Sequence, residues 1–180
     1  MTFMETSRLR LRNVNQKDAG EMFDYRNNEQ CAKYQRGQTK DYDGIIALIE
    51  KRKNDILTIE SPSLIGVAWK ETDTMIGEIV VMPNEGTFSF GYTFSYKVHR
   101  KGCAYEALFA LIAYLHARYP EWDFICFTEP ENLPSMGLLK KLGYTDLGYL
   151  PLKDSRVFGK WLRPDTLDEI AQAVQSKRET

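Results

Sequence analysis

The sequence predicts an α/β (α+β) fold, a mixed sheet covered by helices. Three observations carry that reading. The middle of the chain changes to a strand-like period, with SLIGVAWK, TMIGEIVVM and TFSFGYTFSY separated by the turn-like ETD and PNEG. Helical spacing of apolar residues precedes this meander. After it, strand and helix alternate to the end of the chain.

In chain order, RLRLRNV alternates apolar and basic residues from Arg8 and predicts a first strand. Asn15 reads as a helix cap with Asp18 three residues on, opening a helix to about Asn28 that turns Ala19, Met22 and Phe23 inward. A second helix is predicted from Asp41 to Asp55, with Ile45, Leu48 and Ile49 as its core stripe. In the third strand of the meander, Phe88, Phe90, Tyr92, Phe94 and Tyr96 alternate with Thr87, Ser89, Gly91, Thr93 and Ser95. We read the aromatic face as core. From about Ala104 to Tyr119, Leu108, Leu111 and Leu115 keep helical spacing, and Phe109 and Ile112 extend the apolar surface nearly all round, predicting a buried helix. DFICFT is a strand and NLPSMGLLKKLGY a helix closed by Gly143. YTDLGYL and RVFGKW add two strands, and DTLDEIAQAVQSK a polar terminal helix.

A length of 180 residues suits one domain across residues 1–180, and 43% hydrophobic with 27% charged residues is a globular composition. The formal net charge of -1 supplies no basic field, so neither nucleic acid nor a membrane is expected as partner. Cys31, Cys103 and Cys126 are an odd number with no C-x-x-C, and His99 and His116 add too few ligands for zinc. No metal is expected, and free thiols suit a reducing compartment. MTFMETSRLRLR lacks the apolar run of a signal peptide and no segment has membrane-spanning length, so the expected location is cytoplasmic.

The segment HRKGCAYEAL, from His99, runs a basic turn straight into an apolar helix. A helix start offers unpaired N–H groups and the positive end of the dipole, which together hold phosphate. Gly102 permits close backbone approach, while Arg100 and Lys101 add charge and Ala104 keeps the first turn small. On these residues alone the turn is either a phosphate cradle or an ordinary solvated loop.

Together with NLPSMGLLKKLGY, this turn resembles the signature segments of the GNAT family of N-acetyltransferases, Gln/Arg-x-x-Gly-x-Gly/Ala followed by Asn-x-x-(Ser/Ala)…Lys-x-Gly-(Phe/Tyr). ETSRLRLRNVNQKDAGEMFDYRNN, MIGEIVV and FSFGYTFSYKVHRKG are similar, in order, to the branch containing the ribosomal-protein alanine acetyltransferases. The resemblance spans roughly Glu5 to Trp161. It implies a mostly antiparallel sheet with helices on both faces and one splayed parallel strand pair, between the strand ending near Tyr96 and DFICFT. Acetyl-CoA would lie in that splay as co-substrate. The implied binding set is Tyr96, Lys97, Val98, His99, Arg100, Lys101, Gly102, Cys103, Ala104, Asn132, Ser135 and Lys141, with Lys140 an alternative to Lys141. His99 departs from the usual Gln or Arg, and Tyr105 from a small hydroxyl residue.

The implied reaction is direct acetyl transfer to a primary amine, a small molecule or a protein N-terminus, by a monomer or homodimer. The alternative is a non-catalytic CoA-binding module on the same fold. Acceptor walls are expected from the two N-terminal helices and the loop before Arg156. Backbone N–H groups around Ser95 to Val98 are the expected oxyanion donors. Many family members carry a tyrosine seven residues after the asparagine; here Leu139 stands there, so the thiolate partner falls to Ser135, three residues after Asn132, in preference to Tyr144. Glu78 in MIGEIVV is the first candidate base, either facing the cleft or on an exposed face, with Glu106 second. Cys103 is read as a bystander and not a nucleophile.

Overall fold

The alternation read from Arg8 onward builds the centre of the molecule in a computed structural model that describes residues 1–175. Strands β1 (Thr2–Glu5), β2 (Leu9–Asn13), β3 (Ser63–Trp69), β4 (Met75–Asn84), β5 (Thr87–Phe94), β6 (Asp123–Thr128), β7 (Thr145–Leu150) and β8 (Ser155–Lys160) form one sheet in the order β1-β2-β3-β4-β5-β6-β8-β7. Every neighbouring pair is antiparallel except β5 with β6. The helices are α1 (Ala19–Asn27), α2 (Glu29–Ala32), α3 (Tyr42–Arg52), α4 (Cys103–Arg118), α5 (Leu133–Lys141) and α6 (Pro164–Gln175). Ser176 and Lys177, the end of the predicted terminal helix, lie outside the described residues.

Because successive strand residues point to opposite faces, the sheet sorts its apolar side chains into two cores. On one face Ile65, Phe88, Phe90 and Phe94 pack with Leu108, Leu111 and Leu115 of α4 and Leu139 of α5. On the other, Leu64 and Met75 pack with Met22 and Tyr25 of α1 and Ile45 and Ile49 of α3. The helices therefore cover both faces.

Two helical faces differ from expectation. Phe23 is 41% exposed and meets the edge of Tyr42, while Tyr25 and Arg26 are buried. A capping box at Asn15 and Asp18 winds a 3-10 turn (Gln16–Asp18) ahead of α1, and the stripe continues as Ala19, Met22, Tyr25 and Arg26, with Phe23 on its flank. Helix α4 is buried on one side only, since Phe109 is 54% exposed and stacks on Tyr105.

The turn between β3 and β4 is tied to the start of α1 by charge. Arg12, itself buried, donates Nη1 and Nη2 to Asp18 and Nε to Asp73, which also pairs with Lys17. Burial acts to raise the Asp73 carboxyl, but Lys17 and Arg12 outweigh it and hold the group at about 2. A depressed carboxyl contributes stability that is present above the unfolded value of about 4 and disappears as pH falls towards 2. Asp73→Asn is accordingly expected to be less stable than the parent in urea at neutral pH, with the deficit closing between about pH 4 and pH 2. A deficit independent of pH would show that the charge is not responsible.

Candidate active site

Parallel pairing of β5 and β6 is confined to Thr87 with Asp123 and Phe88 with Phe124. Past Phe88 the strands diverge, and a cleft of about 940 Å³ opens between them. Ser95 N–H donates to Ile76 on β4, so by alternation the backbone groups of Phe94 and Tyr92 face the opening. Both residues line it.

One wall is the entry to α4. A 3-10 turn (Tyr96–Val98) leads to Arg100 at φ 62° and Gly102 at φ 76°, and Gly102 is the N-cap of α4. These left-handed residues turn the chain so that the first α4 N–H groups, which have no partner within the helix, meet the cleft. Val98, His99, Arg100, Gly102, Cys103 and Ala104 all line it. His99 does not reach outward; its Nε2–H donates to the Phe94 carbonyl at 2.9 Å and ties the turn to the end of β5. Cys103 is 1% exposed, and burial pushes its thiol up against the smaller opposing pull of Arg8. That leaves a packed thiol where a nucleophile would need to be ionised and free.

The opposite wall is α5. Asn132 caps it, its side-chain oxygen accepting from Ser135 N–H at 3.2 Å, which leaves the amide NH2 to donate to a ligand. Ser135 and Lys141 also face the cleft, Lys141 lying over the Tyr105 ring at 4.8 Å. The Ser135 hydroxyl is 2.7 Å from the Tyr92 hydroxyl.

A third side comes from residues the sequence left unassigned. Cys31 Sγ donates to the Phe94 carbonyl and Gln35 Nε2 to the Tyr92 carbonyl, so this segment caps the β5 edge that β6 has left. Tyr34 then donates to the Glu131 carbonyl and Arg36 pairs with Glu129, carrying the segment across to the α5 side. The chain after α2 thus straps the opening.

Four predicted site residues lie away from this wall. Lys97 turns back to Glu21 and Asp24 of α1 at 3.2 and 2.9 Å, and Tyr96 donates to Asp24. Lys101 holds its carbonyl to Arg8. Glu78 is 2% exposed, neither on an exposed face nor on the cleft wall. Its carboxylate accepts from Tyr25, Arg26 and Gln38, and Gln38 also donates to Thr93, a cleft residue. Glu106 is likewise occupied: burial acts to raise its carboxyl, but hydrogen bonds from Thr6 and Arg8 outweigh it and hold the group low. Since Glu78 pairs with Thr93 and Ile79 with Tyr92, Glu78 and Tyr92 lie on opposite faces of the sheet. Tyr92 is the functional candidate that the sequence reading missed. Its only signal was a hydroxyl in a stripe otherwise led by phenylalanine.

A sheet split by one parallel pair, with a bare helix start on one wall of the split and a capped helix on the other, forms a cleft whose N–H donors suit a phosphate-bearing ligand. The acetyltransferase (GNAT) domain profile matches residues 8–145, and the chain belongs to that family. The N-acetyltransferase YnaD of Bacillus subtilis, itself uncharacterized, is 27% identical over 146 residues, covering 80% of this chain and 83% of its own. A GNAT-family acetyltransferase from Bacillus anthracis superposes with a TM-score of 0.74 at 22% identity, covering 88% of this chain and 96% of its own. RimL, a ribosomal α-N-protein acetyltransferase solved with coenzyme A, superposes at 0.72 with 12% identity, covering 89% and 97%. Among the described residues no helix is long and apolar enough to cross a membrane.

Proposed function

We propose that this chain binds acetyl-CoA in the splay between β5 and β6 and transfers the acetyl group directly to a primary amine, a protein N-terminus or a small molecule. The observation that carries this is the cleft itself: the α4 N-terminal turn on one wall, and Asn132 and Ser135 on the other. The residues fit the ligand. The left-handed Gly102 lets backbone N–H groups approach a pyrophosphate without a side chain intervening. Lys141 adds a cation, and the Asn132 amide donates to the amide carbonyls of the pantetheine arm.

In this reading the chain's own groups divide the chemistry. Backbone N–H groups of β5 that face the split polarise the thioester carbonyl. The amine attacks that carbonyl carbon, the C–S bond breaks, and the Ser135 hydroxyl donates a hydrogen bond to the departing thiolate. Ser135 sits on the α4–α5 face of the sheet, whereas Thr93 and Gln38 lie towards α1, so the amine enters from the α1 side. Glu78 acts here as a positioning group instead of a base, because its oxygens are already committed to Tyr25, Arg26 and Gln38. The ammonium proton leaves through water in the open cleft.

The test is release of free CoA from acetyl-CoA in the presence of peptides with free N-termini, amino acids, polyamines and aminoglycosides. Turnover with at least one of these is expected, together with its loss when that amine is blocked. Tight CoA binding without turnover on any of them would favour a non-catalytic CoA-binding module.

A further inference from the structure

Tyr92 has a ring partly buried against the core, a place on the cleft wall, and one short polar contact, to Ser135 Oγ at 2.7 Å. A serine hydroxyl carries one proton, and it points wherever the best acceptor lies. In a cleft holding thiolate, phenol and water, that direction is undetermined unless a neighbour fixes it. Resting on the role proposed above for Ser135, we propose that Tyr92 is a positioning residue: its hydroxyl donates to Ser135 Oγ across the split, leaving the serine proton to point at the thiolate sulfur.

Several features favour this direction of donation. Burial pushes the Tyr92 phenol well up, so it stays protonated and available as donor. The groups that face it from neighbouring elements are also neutral: burial holds the Cys126 thiol on β6 up at about 11 and raises the Tyr144 phenol before β7. The Tyr92 backbone is pinned as well, its carbonyl accepting from Gln35 at 3.1 Å. Ser135 is fixed from the other side by the Asn132 cap. Leu139 on α5 is buried in the core and brings no hydroxyl to the cleft. A hydroxyl from β5 supplies that deficit from across the cleft. No proton is transferred from Tyr92. The pair stabilises the thiolate by an oriented hydrogen bond, and the thiolate takes its proton from solvent after release.

The prediction can be read without an acceptor amine, from the thiol pKa of bound CoA, followed by thiolate ultraviolet absorbance against pH. An oriented donor stabilises thiolate, so removing it raises that pKa. Ser135→Ala and Tyr92→Phe are each expected to raise it by about one to two units, and the double variant by no more than either alone. His99 and Lys141 on the same cleft remain in every variant, so their contributions cancel in the comparison. CoA affinity measured at low pH, where the thiol is protonated, is expected to stay within about threefold of the parent, which separates orientation from misfolding. If Ser135→Ala raises the pKa and Tyr92→Phe does not, Tyr92 is packing only and the role of Ser135 stands. If Tyr92→Phe moves it and Ser135→Ala does not, or the two effects add, the orienting contact is overturned because the hydroxyls act separately. If neither moves it, both roles fall. Failure of the parent chain to bind CoA overturns the cofactor reading and the Tyr92 proposal together.

Discussion

Gly102→Glu is expected to lower CoA affinity by on the order of 100-fold while the chain remains folded. The residue caps α4 at φ 76°, where an added Cβ meets nothing nearer than Arg8 Nη2 at 3.6 Å. Space is therefore available, and the cost of a side chain is backbone strain of about 1–2 kcal/mol. The carboxylate adds a second and larger effect. At about 5 Å from a unit of pyrophosphate charge, with an effective dielectric near 20, repulsion costs about 3 kcal/mol. That corresponds to roughly two decades of affinity. Gly102→Ala carries the strain without the charge and is expected to bind CoA within about tenfold of the parent. Lys101→Glu places the same charge one residue earlier on a side chain that is not on the cleft wall, and is expected to lose far less than Gly102→Glu. Calorimetric titration with CoA distinguishes the three. Equal losses for Lys101→Glu and Gly102→Glu would mean a diffuse charge effect, and no loss in either would remove the pyrophosphate from this turn.

The turn was legible because its information is local. A glycine, a small residue and an apolar helix in sequence specify a bare N-terminus whatever surrounds them. The mixed sheet and its helices were legible from periods of 2 and 3.6, and the one parallel pair from the resemblance. What sequence did not give were contacts set by register across long separations. Tyr92 and Phe90 look alike in an alternating stripe, and only the divergence of β6 after Phe88 turns one of them into a cleft residue. Lys97 belongs to the cofactor-binding set that the resemblance implies, but α1 brings Glu21 and Asp24 beside its side chain. Glu78 offered two readings, cleft or surface. The outcome was neither, because its partner Arg26 comes from a helix whose phase was set by a 3-10 turn that the apolar spacing did not reveal.

That buried pair carries the other large expected effect. Arg26 and Glu78 are 3% and 2% exposed, and Arg26 also donates to the Thr39 carbonyl at 2.9 Å. Arg26→Ala leaves a carboxylate buried without its cation, which costs about 3–5 kcal/mol. For a chain of this size that lowers the melting temperature by roughly 6–20 °C. Releasing Thr39 also loosens the far end of the strap over the cleft. Glu78→Gln alone strands the guanidinium instead and is expected to destabilise as well. Combining them removes both charges while the new amide still accepts from Tyr25, so Arg26→Ala/Glu78→Gln is expected to be more stable than Arg26→Ala by about 1–3 kcal/mol in urea denaturation. Additive losses would show that the two side chains contribute through packing alone. Recovery of stability in the double variant would show that what holds α1 to β4 is mutual compensation of two buried charges, and that Glu78 is retained beside the cleft as the partner of Arg26, with its oxygens engaged before any substrate arrives.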